Sequence, residues 1–389
     1  MPDPTIDDVF RSTPKPGFLR SLIGLAAVYF GCLSSFSLLL AVVPLYLSER
    51  DSAVQTTPGL STGVLMFTSM AIGLLTPALG SRLGYRAYFL TALALMAATS
   101  AVWPFVSDGI TLVLVSAVRG GAFAAVVVGV GSVASWTLPA TRRGEGLSVL
   151  GIVSTCAGLI GLPLGVWMAR NVGYTSVFVV AAAGPLTALV PAWSLVTPAR
   201  VRTTWWVTDR ASLWVTRRSA LGIGTGALLS GVMVTHLPAN LGGAAALVLF
   251  VQAGSLAGAR WLAARWCDRA GSAPSLAIAA SLLPGAAGLT LTMARSPGLP
   301  LLIGAAVALG ASFGVAQSLT IASMLAQLPA ARVGVANALW NAAYDLGWAV
   351  GAVFVGVVID RLNYAGGAVA AVAAALVAAV YLASARQKP

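Results

Sequence analysis

Two ionisable side chains stand in the middle of long apolar runs of this sequence. Arg119 lies within Ile110–Leu138, and Asp345 lies within Val333–Ile359. If each run is a helix, Arg119 lies about 14 Å and Asp345 about 18 Å from the start of its run, at about 1.5 Å per residue. A charged group at this depth in a bilayer is costly unless it faces a cavity or a partner. A carboxylate there can bind and release a proton, and a guanidinium can bind an anion.

Asp345 is part of a polar stripe. Asn337, Asn341 and Asp345 follow one another at four-residue intervals, which places them on one face of a helix, with Tyr344 beside them. The stripe must face a cavity or another helix, because lipid would leave its polar groups unpaired. We predict that Asp345 is the proton- or cation-coupling acid and that Arg119 binds substrate or is a partner of this acid. Asn337, Asn341 and Tyr344 are predicted to bind substrate. The alternative is structural: Arg119 bonds neighbouring carbonyls, and Asp345 caps a helix or pairs with an arginine.

Other polar residues in the apolar runs are isolated. Gln252, Gln317 and Tyr29 are included as substrate-binding candidates, the alternative being hydrogen bonds between helices. Arg260 is expected near the cytoplasmic end of its run, where a long side chain reaches water. His236, the single histidine, is expected to be an interfacial polar residue near the outer end of a helix, the alternative being a proton relay.

The composition predicts an integral membrane protein. Of 389 residues, 58% are hydrophobic and 9% are charged, with a mean hydropathy of +0.89, whereas soluble domains carry about 25% charged residues. The net charge of +12 does not indicate nucleic-acid binding, because no basic stretch is interleaved with aromatics. The three cysteines have no metal-ligand spacing and suggest no disulfide framework.

Apolar runs recur along the whole chain. A spanning helix needs about 20 apolar residues, and we place twelve spans. They are Leu22–Leu47, Gly63–Leu79, Tyr88–Val106, Ile110–Leu138, Leu147–Ala169, Ser176–Val196, Leu221–Pro238, Ala244–Ala263, Ser275–Ala294, Leu301–Leu328, Val333–Ile359 and Gly366–Ala383. The predicted fold class is an all-α membrane protein with twelve transmembrane helices in two pseudo-symmetric six-helix halves.

The distribution of basic residues predicts the orientation. With the N-terminus inside, the inner loops and termini hold 17 Lys and Arg residues and the outer loops hold 4. Positively charged loops stay in the cytoplasm, so we expect both termini there, in a multi-pass protein of the inner (cytoplasmic) membrane.

The longest polar break separates the halves. We predict an N-terminal bundle over 1–196, a cytoplasmic linker over 197–219 and a C-terminal bundle over 220–389. Within the linker, Trp205, Trp206, Leu213 and Trp214 can share one side of a helix lying on the inner leaflet, the alternative being a solvated linker.

The two halves repeat. Arg142, Gly144, Gly161 and Tyr174 match Arg332, Gly334, Gly351 and Tyr364, each at an offset of 190. Six spans repeated in parallel orientation build one large class of transporters, whose substrate site lies at mid-membrane between the halves.

With these features the chain resembles the major facilitator superfamily over nearly its whole length. The superfamily's loop signature after span two matches at Leu79, Arg82, Gly84 and Arg86, with Ser81 at the acidic position. The copy after span eight, Asp268-Arg269-Ala-Gly271, keeps the acid.

Two further motifs resemble the drug/proton antiporter branch of that superfamily. Arg119, followed by two glycines, is similar to its span-four arginine motif. Gly161, Pro163 and Gly165 are similar to a motif associated with exporters. The resemblance implies that these loop and span-five residues serve conformational change.

Glycine pairs four residues apart occur in spans five, eight and eleven (Gly161/Gly165, Gly254/Gly258, Gly347/Gly351) and allow helices to approach closely. In the resembled fold, span five packs on span eight, and span two packs on span eleven, across the seam between the halves.

These observations predict a secondary active transporter working by alternating access, most simply a proton-coupled exporter of small amphipathic or hydrophobic solutes. The alternative is a facilitator or importer of a small anionic metabolite with Arg119 as the anion clamp. An enzyme is disfavoured because no catalytic constellation converges within the spans. We expect a monomer with protons, a small-molecule substrate and the bilayer as partners, and no cofactor, metal or nucleic acid.

Overall fold

A computed structural model describes residues 17–50, 56–195, 210–270, 275–293, 298–328 and 332–384. In these ranges the chain is helical and contains no strand. Long apolar runs form helices because a helix pairs its own backbone polar groups where lipid offers none. The helices are α1 (Phe18–Arg50), α2 (Thr56–Leu83), α3 (Tyr85–Val102), α4 (Gly109–Thr137), α5 (Arg143–Asn171), α6 (Tyr174–Ser194), α7 (Arg210–Leu241), α8 (Ala245–Ala270), α9 (Ser275–Thr292), α10 (Leu299–Gln327) and α11 (Val333–Ala383).

Ten stretches of the described chain are long and apolar enough to cross a membrane. Two of them are unusually long. Arg210–Cys267 has 58 residues and contains α7 and α8 as far as Cys267, with a 3-10 turn at Gly242–Ala244 between the two helices. The other, Val335–Ala383, has 49 residues and lies in α11. The protein is therefore a multi-pass membrane protein.

Asn363 interrupts α11. Its backbone adopts φ 79° and ψ 178°, outside the helical region. Its side-chain oxygen accepts hydrogen bonds from the N–H groups of Ala365 (2.9 Å) and Gly366 (3.3 Å). An N-cap residue satisfies the first N–H groups of a helix in this way, so Asn363 caps the helical segment that follows it.

The described chain divides into two compact units. The first comprises the described residues of Met1–Leu39, Thr68–Gly161 and Thr175–Trp206, and the second those of Leu40–Phe67, Leu162–Tyr174 and Val207–Pro389. The first unit has an apolar core of residues from α1, α3, α4 and α6, among them Leu25, Phe89, Met96 and Val126. In the second unit, α7 packs along α11, and α8 packs along α10.

Close helix contacts in both units depend on glycine. In the first unit a Cβ atom at Gly31 of α1 would lie 2.6 Å from Ala188 of α6. In the second, Cβ atoms at Gly347 and Gly351 would overlap the carbonyls of Gly224 and Leu228 on α7. Small residues allow this approach. The glycine pair of span eleven thus packs on α7, a partner that its spacing did not indicate.

Helix α7 begins within the segment predicted as a linker. Its first residue is Arg210, and Ser212, Thr216 and Ser219 are buried on one side. Arg332 donates a hydrogen bond to the Ser212 hydroxyl at 3.0 Å. Leu213 and Trp214 lie on the exposed part of this first stretch. Trp205 and Trp206 lie outside the described residues.

Candidate functional site

Arg119 is enclosed in the first unit, where it joins α4 to α1 and α3. Its side chain is 1% exposed. Nη1 donates to the Met96 carbonyl (3.2 Å) and the Ser100 hydroxyl (2.8 Å), both on α3. Nη2 donates to the carbonyl (2.9 Å) and hydroxyl (3.0 Å) of Ser35 on α1. Both terminal nitrogens are therefore hydrogen-bonded to uncharged groups of neighbouring helices.

These acceptors explain how a buried cation is tolerated. A buried charge is costly unless it is hydrogen-bonded, and bonds to a charged group are the stronger ones. Within the described chain, no carboxylate forms an ion pair with Arg119. Ser35, Met96 and Ser100 were missed by sequence reasoning, because a serine hydroxyl or a backbone carbonyl carries no signal of its long-range partner.

Asp345 lies in the second unit on α11 and is 8% exposed. The polar stripe runs toward it along the helix. Asn337 is exposed, Asn341 and Tyr344 are half-buried, and the Asn341 side chain donates to the Asn337 carbonyl at 2.8 Å. The stripe therefore leads from an accessible amide to a buried carboxyl group.

An aromatic row accompanies the stripe. Trp340, Tyr344 and Trp348 follow at four-residue intervals on α11, with ring centroids 5.6 Å apart at each step. Phe313 of α10 stacks on Tyr344 at 5.7 Å, and the Trp340 indole N–H donates to Thr320 at 2.9 Å. Such separations are typical of favourable aromatic pairs. The four-residue spacing of the row was present in the sequence and could have revealed it.

The isolated polar candidates have separate positions. Gln252 is buried on α8 and donates to the Ser230 hydroxyl of α7 at 3.2 Å, which is a hydrogen bond between helices. Gln317 is buried on α10. Tyr29 is half-buried on α1 and lies in the first unit with Arg119, whereas the other candidates lie in the second. Arg260 is exposed on α8, ten residues before the last residue of that helix.

The predicted loop motif forms the turn between α2 and α3. Gly84 has φ 86°, a conformation that favours glycine. Arg82 is exposed, whereas Arg86 donates to the Leu195 carbonyl beyond the end of α6 at 3.0 Å. In the second copy, Asp268 and Arg269 lie in the last turn of α8. Gly271 and the surroundings of those two side chains lie outside the described residues.

The span-five motif lies on α5. A Cβ atom at Gly161 would lie 2.7 Å from the Ser37 Cβ of α1. Pro163 is inside the helix, and Gly165 is buried. In span eight, by contrast, Gly258 has open space around it.

His236 is expected near the outer end of its helix, and it lies five residues before the last residue of α7. Its side chain is buried within the second unit and is 1% exposed. The imidazole Nε2 lies 2.9 Å from the Ala352 carbonyl of α11. A Cβ atom at Gly59 of α2 would overlap the same carbonyl.

An exposed acid outside the spans has a helix-capping role. Asp108 precedes α4, and its carboxylate accepts hydrogen bonds from the N–H groups of Ile110 and Thr111 and from the Thr111 hydroxyl, each at 2.9 Å. The bonds from Thr111 hold the pKa of this carboxyl group below its usual range.

A comparison with models of protein families identifies one family. The model of the Major Facilitator Superfamily matches residues 25–283. A search of curated protein sequences found no match. Similar solved structures include a peptide transporter POT in complex with sulfate, at a TM-score of 0.78 and 15% identity, covering 98% of each chain.

Two other solved structures have the same fold. A nucleoside transporter NupG gives a TM-score of 0.71 at 11% identity, covering 93% of this chain and 98% of its own. The human organic anion transporter MFSD10 (TETRAN) gives 0.68 at 16% identity, covering 95% of this chain and 100% of its own. At these identities the likeness shows the fold.

Proposed function

The chain belongs to the major facilitator superfamily, and from this premise we propose that it exports small amphipathic or hydrophobic solutes in exchange for protons. It is a transporter and not an enzyme. In the proposed cycle the substrate site opens alternately to the two sides of the membrane, and proton binding drives the exchange.

The observation that carries this proposal is the juxtaposition of a buried acid with an aromatic row on α11. Asp345 adjoins Tyr344, whose ring stacks on Trp340 and contacts Trp348 at a tilt. Aromatic faces bind apolar and planar groups and attract cations. A buried carboxyl group changes its charge when it takes up a proton. One helix face thus offers an apolar surface and a titratable group for a solute that a proton displaces.

The anionic-metabolite alternative has less support. An anion clamp needs guanidinium donors that are free to bind the solute. Both terminal nitrogens of Arg119 are already bonded to Ser35, Met96 and Ser100. We propose that Arg119 holds α1, α3 and α4 together, so that its effect on substrate binding is indirect.

We further propose the twelve-span topology, with six-helix halves over 1–196 and 220–389 and both termini in the cytoplasm of an inner-membrane monomer. Helix α11 has 51 residues, a length of about 76 Å at about 1.5 Å per residue, whereas a bilayer core is about 30 Å thick. The interruption at Asn363 allows it to cross twice. The 3-10 turn at Gly242–Ala244 does the same for α7 and α8.

The experiment uses everted membrane vesicles that contain the chain and have an acidic lumen. Lipophilic cations, neutral drugs, sugars, amino acids and metal chelators are added in turn, and a pH-sensitive dye reports the gradient. We expect an amphipathic cation or neutral drug to collapse the gradient only when the protein is present. A solute that equilibrates faster without moving the dye would establish an uncoupled facilitator. Saturable uptake of a small anion would establish the alternative.

A further inference from the structure

The side chain of His236 on α7 lies beside two other helices, α11 and α2, at the carbonyl group of Ala352. An oxygen only accepts, so the imidazole Nε2 must carry the hydrogen that it donates to the Ala352 carbonyl of α11. The neutral ring then has a lone pair on Nδ1. This atom is buried and has no hydrogen-bond partner among the described residues.

Helix α2 approaches the same place from the other side. A Cβ atom at Gly59 would overlap the Ala352 carbonyl and lie 3.4 Å from Cε1 of His236. One turn later, a Cβ atom at Gly63 would overlap the Val353 side chain of α11. The absence of side chains at these two glycines is what allows α2 to pack on α11 beside the imidazole ring.

The ends of α1, α5 and α6 also form contacts near His236. Arg170, near the end of α5, donates to the Pro238 carbonyl of α7 at 3.0 Å and lies 3.9 Å from the Glu49 carboxylate of α1. The Tyr174 hydroxyl of α6 also donates to Glu49. We call Glu49, Gly59, Arg170, Tyr174, His236 and Ala352 the end cluster; all six belong to the second unit.

We propose that His236 is a proton-binding site of the end cluster, and that the cluster packs when the imidazole is neutral and separates when it is protonated. A protonated ring would have an N–H group at Nδ1. In the packed cluster, no acceptor among the described residues meets that group. A buried donor without a partner, and still more a buried cation, is destabilising. Separation of the helices gives the cation access to water.

Charged groups lie on the helices around the ring. Asp360 lies on α11, about two turns beyond Ala352. Arg170 of α5 donates to the Pro238 carbonyl, two residues beyond His236 on α7, and lies 3.9 Å from the Glu49 carboxylate of α1. Gly59 of α2 brings no charge. Histidine ordinarily titrates near pH 6.5, so acidification is the change that can protonate the ring.

This site is separate from Asp345, and its role does not depend on which solute is carried. A proton bound at His236 would link the pH on one side of the membrane to the packing of the helix ends there. Asp345 would still be the acid that exchanges with the solute.

The test measures the separation of the end cluster by spin-label distances in the full chain in lipid nanodiscs. Labels are placed by Val172→Cys at the end of α5 and Gly243→Cys beyond α7, both exposed, in a Cys156→Ser, Cys267→Ser background. We expect a short distance at about pH 8 and a longer one at about pH 5, because acidification protonates an imidazole ring.

Three variants decide whether His236 is responsible. His236→Gln keeps a donor for Ala352 but does not titrate, so we expect the short distance at both pH values; His236→Asn provides a second test if the first does not fold. Gly59→Ala should give the longer distance at both pH values. Asp345→Asn should respond to pH as the wild type does. The proposal is overturned if the distance in the wild type does not change with pH, or if it still changes with pH in every histidine variant that folds. It is also overturned if Asp345→Asn loses the pH response and the histidine variants keep it.

Discussion

Arg119 donates from Nη2 to both the carbonyl and the hydroxyl of Ser35, 84 residues earlier in the chain. This pair connects α4 to α1, and the bonds from Nη1 to Met96 and Ser100 add α3. A buried arginine that unites three helices through uncharged acceptors is a structural element of the first unit.

Arg119→Ala should destabilise the protein strongly, because it leaves buried carbonyl and hydroxyl groups without their charged donor. Each hydrogen bond to a charged group contributes about 1.5–3 kcal/mol, so we expect a loss of at least about 3 kcal/mol in the free energy of unfolding. Arg119→Lys should lose less stability, because the ammonium group of lysine keeps the positive charge but lacks the planar, forked arrangement of donors of a guanidinium group. Thermal unfolding in detergent measures both. The exposed Arg82→Ala is the control; wild-type stability of Arg119→Ala would refute the assignment.

The contact between α7 and α11 gives a second prediction. Gly347→Ala places a Cβ atom against the Gly224 carbonyl, and backbone cannot move aside as a flexible side chain can. We expect a loss of about 1–3 kcal/mol, the usual cost of overpacking. Gly258→Ala is the matched control, because Gly258 has open space around it and alanine is the better helix former. Equal thermal unfolding of the two variants would mean that the close contact is absent.

The aromatic row gives a prediction about solute binding. Tyr344→Ala removes the ring that stacks on Trp340 and Phe313 and contacts Trp348. An aromatic contact contributes about 0.5–1.5 kcal/mol, so the KM for an aromatic solute should rise by up to about tenfold. Tyr344→Phe keeps the ring and should transport with a KM close to that of the wild type. Initial rates of solute exchange in vesicles distinguish the two variants. A KM unchanged by Tyr344→Ala would exclude the row from the binding site.

Asp108 gives a prediction about acid stability. The hydrogen bonds from Thr111 hold its pKa below the usual range, so the charged cap stabilises the folded state above the unfolded pKa of about 3.9. This stabilisation is lost as pH falls through the depressed folded pKa. Asp108→Ser keeps a capping oxygen that does not titrate. Its melting temperature should therefore fall less than that of the wild type below about pH 4; parallel curves would contradict the capping account.

The sequence was sufficient to predict an all-α membrane protein, because long apolar runs with few charges are typical of membrane-spanning helices. It also identified Arg119 and Asp345 as buried, because a charge in a long apolar run has few alternatives. The partners of these residues could not be predicted. The acceptors of Arg119 are a backbone carbonyl of Met96 and two serines, and nothing in their residue types points to a contact 19 to 84 residues away.

Helix ends and helix partners were the less predictable part. The sequence predicts the end of span seven at Pro238, whereas α7 continues to Leu241, and nothing in the sequence indicates that His236 is buried at the Ala352 carbonyl of α11. The spacing of Gly347 and Gly351 predicted a close contact but not that α7 would be the partner. Gly59 and Gly63 are also four residues apart. Their close contact with α11 depends on three-dimensional packing that a single sequence does not specify.

The most direct test of the central claim compares two kinds of transport in the Asp345→Asn variant. With a solute identified by the dye experiment, energised everted vesicles measure proton-driven accumulation, and de-energised vesicles measure exchange of labelled for unlabelled solute. Glu145→Gln, which removes an exposed carboxylate at the start of α5, is the control. Because asparagine keeps the shape but cannot release a proton, we predict that Asp345→Asn retains exchange and loses proton-driven accumulation, while the control keeps both. Proton-driven accumulation at the wild-type level in Asp345→Asn would contradict the claim that Asp345 is the coupling acid.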